Sequence, residues 1–179
     1  MKVLLVASEA VPFAKTGGLG DVAGSLPRAL RQRGVDARVL VPKYQGIAPE
    51  YRREMLHLGS CSVPVSWRRQ YGGVDYLQYQ GVPFYFLDNE YYFKRDGYYG
   101  YFDDAERFAF FSRAVPEVLG ALEFYPDIIH CHDWQTALVL LYLKEFYPHI
   151  PAKTVFTVHN LKYQGRFTHW ILHNILGLG

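Results

Sequence analysis

The stretch Lys2–Val41, KVLLVASEAVPFAKTGGLGDVAGSLPRALRQRGVDARVLV, decides the fold class. Lys2 to Ala7 is branched and apolar without alternation, the pattern of a strand buried on both faces in a parallel sheet. Leu19, Val22, Ala23, Leu26 and Leu30 then recur at helical spacing, and the run closes with Arg31, Arg33 and Gly34, a basic last turn with a glycine stop. Pro27 inside that run predicts a kink. Asp36 to Val41 reads as a second strand. Strand, helix and strand at this spacing imply a right-handed parallel crossover, so the fold class is α/β.

Working outward, residues 59 to 88 hold short alternating runs (SCSVPVSW, VDYLQYQ, VPFYFLD) joined by Gly-Gly and Gly-Val turns. They predict a β-meander or hairpin inserted in the parallel order. Ala105 to Leu122 places Phe108, Phe111, Val115, Val118 and Leu122 on one helix face. A strand at Asp127 to Cys131, a helix at Trp134 to Tyr147 and a strand at Thr154 to Val158 follow. The expected architecture is a mostly parallel, Rossmann-like sheet with helices on both faces.

Half of the 179 residues are hydrophobic and a fifth are charged, which excludes a disordered chain. The longest apolar runs, VLLVA and ALVLLYL, fall far short of the roughly 20 residues a bilayer needs, and Met1-Lys2 leads straight into a strand rather than a signal peptide. A cytoplasmic protein is expected. Cys61 and Cys131 fit neither a disulfide framework nor a CxxC zinc site, and both should be reduced. The formal charge of +2 comes without a basic cluster denser than Arg52-Arg53 or Arg68-Arg69, so neither nucleic acid nor a membrane is an expected partner. Fifteen tyrosines and twelve phenylalanines, many within Tyr71 to Phe102, imply either a thick core or stacking surfaces.

In open α/β sheets ligands bind beyond the carboxyl ends of the strands. Three strands end in polar clusters there: SEAVPFAKTGGLGD, then His132-Asp133-Trp134-Gln135, then His159-Asn160-Leu161-Lys162-Tyr163-Gln164-Gly165. The glycine cluster is not a P-loop, since Lys15-Thr16 precede Gly17-Gly18 rather than follow them. Nor is it a dinucleotide fingerprint, because the spacing from Gly20 to Gly24 is one residue too long and the second strand ends in Val41-Pro42. What survives is shared physics: glycines admit an anion to backbone N–H groups at a helix N-terminus, with Lys15 as a cation. Asp21 suits either the helix dipole or the hydroxyls of a polyol. His130-Cys131-His132-Asp133 invites a zinc reading, but no second ligand cluster stands at standard spacing, and a buried, hydrogen-bonded His130 is expected instead of a metal site. Asp133 occupies an N-cap position. His159 and Asn160, directly after a buried strand, can offer donors to a hydroxyl or to developing charge. No nucleophile elbow is present, and Glu106 and Arg107 read as a solvated helix face.

K-T-G-G-L-G-D-V, the block D-N-E-Y-Y-F-K-R-D-G-Y-Y-G with E-R-F-A-F-F-S-R-A, then H-C-H-D-W-Q-T-A and F-T-V-H-N-L-K-Y-Q-G-R-F resemble, in order, bacterial glycogen synthases and plant starch synthases. The resemblance implies the N-terminal, acceptor-side domain of a GT-B glycosyltransferase that moves glucose from ADP-glucose to the non-reducing end of an α-1,4-glucan such as glycogen, with retention and without a cofactor. It implies that Lys15, Gly17 and Gly18 hold ADP-glucose beside Asp21, that Asp133 and His159 are the catalytic pair at the reacting face, and that Asn160 and Gln164 line the same wall. The family's proline after L-G-L is absent, since Gly179 follows Leu176-Gly177-Leu178. The family's second domain, which carries the cations for the leaving diphosphate, is absent from residues 1–179, so this chain alone is expected to be inactive. A competing reading is a stand-alone glucan- or nucleotide-sugar-binding module. Truncation also predicts self-association through an uncovered sheet edge.

Overall fold

A computed structural model describes residues 1–178. Seven strands form one mixed sheet: β1 (Lys2–Val6), β2 (Asp36–Pro42), β3 (Leu56–Val65), β4 (Arg68–Tyr79), β5 (Val82–Asp88), β6 (Ile128–His132) and β7 (Lys153–Thr157), in the spatial order β3-β4-β5-β2-β1-β6-β7. The five strands from β5 to β7 are parallel, and β4 is antiparallel to both of its neighbours. The helices are α1 (Gly18–Arg31), α2 (Pro49–Glu54), α3 (Glu90–Phe93), α4 (Asp104–Val118) and α5 (Trp134–Phe146), with a π-helical turn at Leu172–Leu176.

The unalternating strands are explained by two cores, one on each side of the sheet. Leu4, Val6, Leu40, Tyr85 and Leu87 face the layer containing Phe108, Phe111, Val115 and Tyr142 from α4 and α5. Val3, Leu5, Val39, Val41, Phe84 and Phe86 face Leu19 and Ala23 of α1. Successive side chains of a strand point to opposite faces, so only a strand covered on both sides can be apolar throughout. Burying each such side chain contributes about 1.5–3 kcal/mol.

The meander is real, but only β3 and β4 extend the sheet as an antiparallel flap. β5 pairs with β2 in parallel and belongs to the central order. Helix α1 passes through Pro27 without ending. Glu106 and Arg107 correct the solvated-face expectation. Arg107 has no exposed surface; its Nε donates to the Tyr92 carbonyl at 2.8 Å, and its Nη1 donates to the Tyr98 carbonyl at 3.0 Å and to Asp104 Oδ1 at 2.6 Å. Glu106 accepts from Tyr92 OH and pairs with Arg68. The α4 periodicity was read from its phenylalanines, and it could not show that the residues between them face a second packed segment. That segment is the aromatic block: Tyr92 and Phe93 are buried and Tyr98 and Tyr99 partly so, and packing accounts for most of it. Both cysteines are free, and burial raises their thiols, Cys61 to about 11 and Cys131 to about 12. Among the described residues no helix is long and apolar enough to cross a membrane.

Candidate functional site

The loop after β1 is fixed at three points. Phe13 is buried with its ring 4.9 Å from those of both Phe84 and Phe86. Gly24 of α1 lies so close to Val11 that a Cβ would stand 2.3 Å from Val11 Cγ2, which is why a side chain is missing there. Glu9, only 3% exposed, holds the glycine segment: Oε2 accepts from Thr16 N at 2.6 Å and Gly17 N at 3.3 Å, and Oε1 accepts from the Thr16 hydroxyl at 2.6 Å and Tyr99 OH at 2.7 Å. The N–H groups of Thr16 and Gly17 are therefore already occupied by an internal carboxylate. Those of Gly18, Leu19 and Gly20, the first turn of α1, remain as the open donors of the helix end.

Beyond β6 the chain turns at Asp133, whose φ of 59° and ψ of 177° lie in a region that costs a non-glycine residue about 1–3 kcal/mol. Its side chain makes no capping bond to α5, contrary to the N-cap expectation. Oδ1 instead accepts from His159 N at 2.6 Å and Asn160 N at 3.4 Å, so the carboxylate ties the end of β6 to the end of β7. The strained turn is what aims it sideways at the neighbouring strand rather than along its own helix.

Three imidazoles stand side by side. His130 Nε2 lies 2.8 Å from Thr157 Oγ1, and His130 and His132 rings are 4.1 Å apart. His132 Nδ1 lies 2.9 Å from His159 Nε2. Burial pulls the His132 pKa down to about 3, with the neighbouring rings of His130 and His159 adding to it. The same desolvation, with His159 adding to it, lowers His130.

These elements enclose a cavity of about 910 Å³ at the carboxyl ends of β1, β6 and β7. Gly17, Gly18, Asp133, His159 and Asn160 line it, as do Glu9, Tyr99, Asp104 and Tyr163. Lys15, Asp21 and Gln164 do not. Lys15 Nζ is bound to Asp21 Oδ1 at 2.7 Å on the surface, and Gln164 Nε2 donates to the Leu161 carbonyl at 3.0 Å. The lining includes three carboxylates and, among the described residues, no lysine or arginine. A diphosphate would find little counter-charge here, whereas the hydroxyls of a sugar would find acceptors and the open donors of α1.

Glu9 was legible by the same strand-end rule that found Asp133, since it stands three residues past the end of β1 within the polar cluster there. Tyr99 lies in the D-N-E-Y-Y-F-K-R-D-G-Y-Y-G block, yet no strand end or spacing pointed it at a site: it reaches the cavity from an irregular loop held by Arg107 and by Gly100 N donating to Asp104 Oδ2 at 2.8 Å.

The family model of the starch synthase catalytic domain matches residues 2–179. The chain belongs to the starch synthase catalytic domain family. A glycogen synthase of Geobacillus thermodenitrificans is 56% identical over 99% of this chain. One from Caldicellulosiruptor saccharolyticus is 57% identical over the same share. In each case the match covers 38% of the relative's length, so the chain spans well under half of the starch synthase family members it resembles. The catalytic domain of starch synthase IV from Arabidopsis thaliana, solved bound to ADP and acarbose, superposes with a TM-score of 0.89 at 35% identity, covering 99% of this chain and 37% of that one. The mixed seven-stranded sheet matches the N-terminal half of the starch synthase GT-B fold. Glycogen and starch synthases are glycosyltransferases, so the family is one of enzymes.

Proposed function

We propose that residues 1–179 form the N-terminal, acceptor-side domain of a cytoplasmic retaining glycosyltransferase that transfers glucose from ADP-glucose to the non-reducing end of an α-1,4-glucan. The observation that carries this reading is the cavity in which Asp133, His159, Gly17 and Gly18 meet at the strand ends of a family member. The starch synthase IV domain holds ADP and acarbose, a nucleotide and a glucan-like oligosaccharide, which supports both ligand classes for this chain.

In this reading the transferred glucose sits against the carboxylate-rich wall. His159 faces the reacting carbon, held by Asp133 through its backbone N–H, and the donors of Gly18 to Gly20 approach the sugar and the near phosphate. Asn160 lines the same wall. Lys15 and Asp21 flank the entrance; Lys15 reaches the diphosphate after exchanging its surface partner, an exposed pair worth at most about 1 kcal/mol. The remaining positive charge for the departing diphosphate is assigned to residues outside this chain, so the isolated chain should turn over ADP-glucose negligibly.

The test compares glucose incorporation into glycogen from ADP-glucose by the 179-residue chain and by the full-length product of its gene. Transfer by the full-length protein alone supports the reading. Failure of both, with maltooligosaccharide binding by the chain in calorimetry, would favour the stand-alone binding module. Self-association is the second proposal. β7 is one of the two edge strands of the sheet, with Val155 and Phe156 43% and 39% exposed, and a second copy of this edge is its proposed occupant. Sedimentation should show dimers that Val155→Lys abolishes; a monomer at all concentrations would count against it.

A further inference from the structure

His132 ends β6 with its ring fully buried, and its two nitrogens have unequal surroundings. Nδ1 lies 2.9 Å from Nε2 of His159, whereas Nε2 is buried without a hydrogen-bond partner among the described residues. Two neutral imidazoles facing each other at this distance share one proton, so one ring donates and the other accepts. If His159 donated, the His132 proton would sit on Nε2, leaving a buried N–H with nothing to bind, the rarer kind of orphan. If His132 donates, only a lone pair goes unused.

We propose that His132 is a positioning residue for His159: it donates its Nδ1–H to His159 Nε2, so that the neutral His159 ring carries its own proton on Nδ1 and keeps a fixed N–H donor for the cavity. The inference rests on the reading of His159 as a sugar-facing group and specifies which of its nitrogens serves. Burial supports it by holding His132 neutral, which leaves only one proton on that ring to place. His130 cannot substitute, because its Nε2 is engaged by Thr157 Oγ1. Consecutive residues thus hold His159 twice, His132 by its ring and Asp133 by its main chain. Among the described residues His159 Nδ1 has no partner in the protein, which leaves it open to a ligand hydroxyl or to developing negative charge.

Nitrogen-15 spectroscopy of the imidazoles in the 179-residue chain near neutral pH tests this directly. The expected result is a protonated Nδ1 and an unprotonated Nε2 on His159, with a nitrogen–nitrogen coupling across the bond to His132 Nδ1. In His132→Phe the coupling is lost and the His159 shifts move toward an average of the two tautomers. In His132→Gln, whose amide can donate, they return part of the way. A His159 protonated on Nε2 in the unmodified chain overturns the proposal, as do His159 shifts unchanged in His132→Phe. If His132→Phe does not fold, the unmodified spectrum decides alone. Adding ADP-glucose to the full-length protein separates the two ideas. If the Nδ1–H tautomer is present and the sugar nucleotide leaves the His159 signals unmoved, the histidine pair stands and the sugar-facing reading fails.

Discussion

The carboxylate of Asp133 accepts the backbone N–H of His159 at 2.6 Å, joining two adjacent strand ends that are 26 residues apart in the chain. Asp133→Asn keeps a residue type that tolerates positive φ but removes the charge from the acceptor. The loss of about 1.5 kcal/mol should speed amide exchange at His159 roughly tenfold and lower glucose transfer by the full-length enzyme. An unchanged His159 amide would mean that the bond does not hold the loop.

Glu9 should matter to the glycine segment more than any glycine does. Glu9→Ala removes the shared acceptor of Thr16 N, Gly17 N and the Thr16 hydroxyl, while Tyr99 OH keeps Ser8 Oγ at 2.7 Å, at a cost of about 1–3 kcal/mol. Urea unfolding should show that loss, and hydrogen exchange should show Thr16 and Gly17 newly labile while α5 keeps its protection.

Arg107→Met leaves the Asp104 carboxylate buried beside an apolar neighbour, and the expected destabilisation is about 3–5 kcal/mol. The double variant Arg107→Met with Asp104→Asn should recover part of it, because the uncompensated charge is gone. Denaturation of the unmodified chain, Arg107→Met, Asp104→Asn and the double variant measures the coupling; additive losses would show that the pair does not act as a unit.

Burial of His132 gives a pH dependence of definite sign. Below its ordinary value near 6.5 the unfolded chain takes up a proton that the folded ring refuses until about pH 3, so stability falls as pH drops through that window. The slope is about 1.4 kcal/mol per pH unit once the unfolded ring is fully protonated. His130 adds in the same direction. Between pH 6.5 and 5, before carboxylates titrate, urea midpoints of His132→Phe should depend on pH less steeply than those of the unmodified chain. Equal slopes would show that His132 is not the titrating group.

The central strands β1 and β2 were legible because burial on both faces removes polar residues from a parallel strand, whereas β7 showed as a short branched run although the structure leaves it exposed, against the buried strand expected there. The strand-end rule then led to Asp133, His159 and Gly17. What stayed hidden depended on tertiary neighbours. Arg107 looks like any helix arginine until the loop carrying Tyr92 and Tyr98 folds over it. Asp133 looks like a helix cap until its backbone conformation turns the carboxylate toward β7. The pairing of Lys15 with Asp21 was hidden too, because spacing along the chain cannot show that the two side chains reach each other.

The position of β1 has a consequence for synthesis on the ribosome. Of the seven strands it is the first made, yet it lies between β2 and β6 and pairs Val3 with Ile128. At about 5–20 residues per second, one of its edges must wait on the order of 6–25 s for its partner to emerge. During that interval the nascent chain exposes an unpaired apolar strand, so a strand that ends up inside the sheet, paired on both edges, is also the longest exposed to mispairing and to chaperone capture.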